Sequence, residues 1–105
     1  MEPAITLILE LREDGMTVEL DEDRIIVSPV ERITDQLRAR IRCRRVAVLE
    51  YLHLEERIRA MADRWGFAPE DLAEELARSA ADPAAALVWV KRDERRFSNA
   101  QQEVA

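Results

Sequence analysis

The sequence is poor in the residues that most often carry chemistry. It holds one cysteine, Cys43, and one histidine, His53, in 105 residues. A lone cysteine excludes an internal disulfide and any multi-cysteine zinc site. A lone histidine leaves little for acid–base work; beside Glu50, Glu55 and Glu56 it lacks a second strong ligand type, and a histidine at a helix end is the plainer reading. Only two glycines and four prolines occur. No phosphate-binding loop, dinucleotide glycine pattern, G-x-S-x-G, H-E-x-x-H or C-x-x-C is present. No apolar run approaches the roughly 20 residues of a membrane-spanning helix. The N-terminus carries Glu2 where a secretory signal carries positive charge, and Glu10 interrupts the short apolar run. These absences predict a cytoplasmic protein that is not an enzyme, binds no cofactor or metal and has no membrane partner.

What is present is a single domain's length of chain. Hydrophobic residues make up 48% and charged residues 36%, enough apolar content for a core. Abundant alanine, leucine, arginine and glutamate favour helix. The net charge is −6, but it is segregated. Residues 1–30 carry eight acids against two bases. Residues 31–46 carry six arginines against Glu31 and Asp35. Residues 47–105 carry twelve acids against eight bases. The arginines either face the chain's own carboxylates and solvent or serve an acidic partner. The negative total disfavours nucleic acid as a partner.

Periodicity orders the elements. Residues 3–14 read as a helix, with Ala4, Leu7, Ile8 and Leu11 on one face, Pro3 in its first turn and Gly15 at its C-terminal stop. Met16, Val18 and Leu20 then alternate with Thr17 and Glu19, and Ile25 and Val27 alternate with Arg24 and Ile26. These two runs predict a half-buried antiparallel hairpin. Its turn, Asp21-Glu22-Asp23, has no glycine, which argues against a tight two-residue loop. Thr34 is placed as an N-cap, with Asp35 in the first turn behind it. The stripe Leu37, Ile41, Val48, Leu52 follows, flanked by a ridge of Arg38, Arg42 and Arg45. A second stripe, Leu54, Ile58, Met61, Ala62 and Trp65, is rotated from the first, which favours a break or bend near His53. Gly66 stops that helix. Phe67 and Leu72 form a hydrophobic staple around the next start, at Pro69. Asp82-Pro83 opens a last helix with Ala86, Leu87, Val90 and Phe97 on its buried face, Trp89 beside it and Val88 opposite. The fold class is therefore α+β and mostly helical: a helix, a two-stranded antiparallel hairpin, then three to four helices.

The runs Leu7-Ile8-Leu9-Glu10-Leu11-Arg12-Glu13-Asp14-Gly15-Met16-Thr17-Val18, Asp23-Arg24-Ile25-Ile26-Val27 and Ile33-Thr34-Asp35-Gln36-Leu37-Arg38-Ala39-Arg40-Ile41 resemble the TubC N-terminal docking domain family. The resemblance covers about residues 4–54. Asp35 stands where that family usually has proline, and Glu22 where it has a turn glycine. It implies an α-β-β-α-α docking unit, commonly dimeric, whose hairpin receives the tail of a partner subunit. Residues 1–54 are then the docking-like unit, 55–97 a helical extension packed on it, and 98–105 a disordered tail.

The hairpin is the leading functional candidate. Its outer face holds Thr17, Glu19, Arg24 and Ile26, and an exposed isoleucine between charges suits a partner-binding surface. The alternative is that a helix or second copy covers it. Arg38, Arg42 and Arg45 form a second candidate, a ridge for an acidic partner. A turn at Trp65-Gly66-Phe67 joins two helices, but the second carries Glu70, Asp71, Glu74 and Glu75 and would be repelled by phosphates. Cys43 reads as a structural cysteine at the core edge, and Trp89 and Phe97 as core. The expected function is a non-catalytic docking domain, a homodimer that binds a protein or peptide through its hairpin. The alternatives are a nucleic-acid-associated accessory protein of a mobile element, using the arginine helix, or an acidic inhibitor.

Overall fold

In the computed structural model, the backbone is described for residues 3–104 and the side chains for residues 3–98. The chain is mostly helical with one two-stranded antiparallel sheet, as its periodicity predicts. The order is α1 (Ala4–Glu13), β1 (Thr17–Asp21), β2 (Arg24–Ser28), a short 3-10 turn (Val30–Arg32), α2 (Asp35–Cys43), α3 (Arg45–Trp65), α4 (Pro69–Ala81) and α5 (Pro83–Val104). It divides into two compact units, Met1–His53 and Leu54–Ala105. The tail expected to be disordered from residue 98 instead continues α5 to Val104; residue 105 lies outside the described residues.

In the first unit, α1 buries Leu7, Ile8 and Leu11, and each such side chain contributes roughly 1.5–3 kcal/mol. The helix stops at Gly15, whose φ of +82° suits glycine. The Met16 amide reaches back to the Leu11 carbonyl at 3.0 Å and the Gly15 amide to the Arg12 carbonyl at 3.1 Å, satisfying carbonyls the helix leaves unpaired. Two arginines reinforce this corner. Arg12 donates to the Val18 carbonyl at 3.1 Å, and Arg32 donates to the Asp14 carbonyl at 2.7 Å.

The hairpin pairs Thr17 with Ser28, Val18 with Val27, Glu19 with Ile26, Leu20 with Ile25 and Asp21 with Arg24. Val18 and Val27 are buried and Leu20 and Ile25 half-buried, while Glu19 and Ile26 are exposed. The loop differs from expectation. Only Glu22 and Asp23 separate the paired ends, so it is the tight two-residue type, and Glu22 supplies the positive φ (+55°) that a glycine would otherwise provide.

Thr34 caps α2 as predicted, accepting the Leu37 amide at 3.1 Å. The helix breaks at Arg44 (φ −115°, ψ 19°), not near His53, which lies within the continuous α3. Glu55, which stands in sequence between residues of the two apolar stripes, is only 2% exposed.

In the second unit, Leu54, Ile58, Met61, Ala62 and Val90 are buried. Gly66 (φ +67°) ends α3, and the Phe67 amide donates to the Ala62 carbonyl at 2.9 Å. Pro69 begins α4. Asp82 caps α5 by accepting the Ala85 amide at 3.2 Å, and α4 packs against α5. Trp65 and Phe97, expected in the core, are 59% and 36% exposed, and Trp89 is 40% exposed. Trp65 instead donates its indole N–H to Asp93 at 2.7 Å, and Phe97 lies under the Arg64 guanidinium, 4.8 Å away. Both rings thus serve as partners of polar groups at the rim, a role their helical spacing does not distinguish from burial.

Candidate functional site

The site lies in the first unit, along the free edge of β2. Among the described residues the sheet has two strands, so each has one edge with no neighbouring strand. A cleft of about 500 Å³ is lined by four consecutive residues of β2, Arg24, Ile25, Ile26 and Val27, and by Val30, Ile33, Arg38, Ile41, Arg42 and Arg45. Side chains on a strand alternate between faces. Consecutive lining residues therefore mean that the backbone edge itself looks into the cleft. Among the described residues, no backbone hydrogen bond from outside the sheet reaches residues 24–27.

The cleft combines an apolar floor with a basic rim. Ile25, Ile33 and Ile41 are half-buried, and Val30 is 65% exposed. Around them stand four arginines. Arg45 is committed to the turn, donating to the Asp23 carbonyl at 3.2 Å. The side chains of Arg24, Arg38 and Arg42 are exposed and make no ion pair or hydrogen bond among the described residues. The internal reading of the arginine cluster holds for other members. Arg40 pairs with Glu10 at 2.9 Å, and Arg32 binds the Asp14 carbonyl. Arg38 and Arg42 instead face solvent, with no carboxylate partner among the described residues.

The two candidate sets read from the sequence thus meet in part. Ile26 and Arg24 of the hairpin share one cleft with Arg38, Arg42 and Arg45. Thr17 and Glu19 are exposed on the neighbouring strand but do not line the cleft. Val30, Ile33 and Ile41 complete the floor; the sequence placed Ile41 in the apolar stripe of its helix and none of the three at a binding site. The Val30 and Ile33 pair on either side of two charges was a usable signal: apolar residues just after a strand that ends at a proline.

His53 is exposed on α3, with Nε2 3.7 Å from the Asp23 carboxylate, rather than at a helix end. Cys43 is exposed at the end of α2, not at the core edge. Among the described residues no group of three or more His, Cys, Asp or Glu side chains could hold a metal ion, and no helix is long and apolar enough to cross a membrane. Comparison with family models, curated proteins and solved structures returns no match.

Proposed function

We propose that this chain is a non-catalytic docking module of the cytoplasm that takes an extended, acidic segment of a partner protein by strand addition onto β2. The observation that carries this reading is the cleft, where an unpaired strand edge runs beside an apolar floor under unpaired arginines. Strand addition draws affinity from main-chain hydrogen bonds and specificity from pockets for alternate side chains. Here an apolar side chain facing the cleft would meet Ile25, Ile33 and Ile41, and a carboxylate at its mouth would meet Arg38 and Arg42. The resemblance of residues 4–54 to the TubC docking domain family supports the same surface and a homodimer.

The test uses a fluorescein-labelled peptide alternating glutamate and valine, against one alternating lysine and valine. The acidic peptide binds, and backbone amides of residues 24–27 gain protection from hydrogen exchange. R38E/R42E weakens it about tenfold or more, equivalent to about 1.4 kcal/mol. Equal binding of both peptides, or no protection at β2, would overturn the reading. Tighter binding of the double-arginine face to an oligonucleotide than to the acidic peptide would favour a nucleic-acid accessory role instead.

A further inference from the structure

Helix α5 sorts its charges by face. Its two central acids point toward α3 and are consumed there. Asp93 accepts from Arg64 at 2.8 Å and from Trp65 at 2.7 Å. Glu94 accepts two hydrogen bonds from Arg57, one from Nε at 2.9 Å and one from Nη2. The four bases interleaved with them, Lys91, Arg92, Arg95 and Arg96, are all exposed, and none has a partner among the described residues. At 100° per residue Val88, Arg92, Arg95 and Arg96 lie on the side opposite Val90, which is fully buried, with Trp89 on the flank next to Arg92 and Arg96 and Lys91 on the other flank, about 160° from Trp89. A segment with four bases and two acids thus presents four uncompensated positive charges. Val88 at 59% exposure and Trp89 at 40% lie one turn before them.

We infer that this face of α5 binds a single strand of nucleic acid, with phosphates on Lys91, Arg92, Arg95 and Arg96 and a base stacked on Trp89. The combination is specific to that ligand class. Cations that track a backbone, beside an exposed aromatic ring, are what sequence-tolerant single-strand binding requires. Side chains four apart on a helix stand about 5–6 Å from one another, so Lys91 with Arg95, and Arg92 with Arg96, make two parallel rows along the axis. An anionic membrane fits less well. An interfacial helix needs a broad apolar face free to insert, and the apolar face of α5 is committed at Val90. A duplex would use the cations but leave Trp89 without a role. The protein's net charge of −6 does not forbid the contact. At 0.1 M salt, charges beyond about 10 Å are largely screened, which removes the first unit's acids from account more than those of α4, which packs against α5 and carries Glu70, Asp71, Glu74 and Glu75. The net charge does make the binding modest and steeply dependent on salt.

The test is anisotropy of a fluorescein-labelled oligothymidine titrated with the full chain. The expected dissociation constant is on the order of 10 µM at about 50 mM salt, and log affinity falls against log salt with a slope of about −3, for four phosphates on a single strand. K91E and R95E, each at an exposed position, weaken binding about fivefold or more and flatten that slope by about 0.7 or more, since each removes at least one phosphate contact. W89A weakens binding about tenfold and W89F restores most of it, as expected for stacking. R38E/R42E leaves binding unchanged, which separates this face from the β2 cleft. Thermal melts show the single variants folded. The inference is overturned if the chain does not bind at low salt, if K91E and R95E bind as well as the parent, or if W89A has no effect. It is equally overturned if the chain sediments with phosphatidylserine vesicles but ignores the oligonucleotide.

Discussion

Arg57 grips the Glu94 carboxylate with two hydrogen bonds, from Nε at 2.9 Å and from Nη2, tying α3 to α5 within the second unit. The bond from Arg57 is the main reason that the Glu94 carboxyl sits below its ordinary value of 4.5; the charge of Arg57 and that of Arg64 add to it, against partial burial. The Arg57 guanidinium is correspondingly pushed up by the same bond.

A carboxyl whose folded value is depressed contributes stability that is complete above its unfolded value and is lost as pH falls through the folded one. Wild type should therefore lose stability relative to E94Q as pH drops from about 5 toward 3. Both side chains are about one-third exposed, so the difference at neutral pH is about 1 kcal/mol or less. Urea melts of the two proteins at pH 7 and pH 3.5 read it directly. Parallel stability curves at both pH values would show that the pair does not couple to folding.

The two faces of β2 should respond oppositely to charge. Ile26 is 41% exposed and Val27 is 9% exposed. I26D should change stability by only about 0.5 kcal/mol, the usual range for an exposed site. V27D buries an unpaired carboxylate and should cost several kcal/mol, or unfold the chain. Ile25, on the inner face, is only half-buried and should fall between them. Circular dichroism melts give the ranking, and an I26D protein as unstable as V27D would mean that the outer face of the hairpin is covered in solution.

The turn carries a cost at Glu22. A non-glycine residue at a φ of +55° is held against the steric preference of L-amino acids. E22G should relieve that cost, offset in part by the greater freedom of glycine in the unfolded chain. The net gain expected is about 0.5–1 kcal/mol, a rise in melting temperature of several degrees for a protein of this size. A fall in melting temperature would indicate that the Glu22 side chain itself stabilises the loop.

The first unit leaves Leu9, Val30 and Val46 at 41%, 65% and 69% exposure. The homodimer proposed above would cover such side chains with a second copy. Light scattering at micromolar concentration should give twice the 12.1 kDa chain mass. A mass of one chain at every concentration would remove the second copy from the account.

The local grammar of the chain was legible in its residues. Pro3, Gly15, Thr34, Gly66, Pro69 and Asp82-Pro83 mark helix ends because caps and stops act over three to five residues. The hairpin's inner and outer faces follow from a period of two, which needs no knowledge of what covers them. The tertiary structure decided everything that depends on distant neighbours. It closed the turn on two residues through Glu22, since strand pairing outweighs one residue's backbone preference. It moved the helix break from His53 to Arg44 and buried Glu55. It set Trp65 and Phe97 at the rim beside Asp93 and Arg64. Above all, it left Arg38 and Arg42 unpaired beside β2 while spending Arg40 on Glu10. Charge composition counts arginines, but only the spatial arrangement of carboxylates and carbonyls determines which of them remain available to a partner.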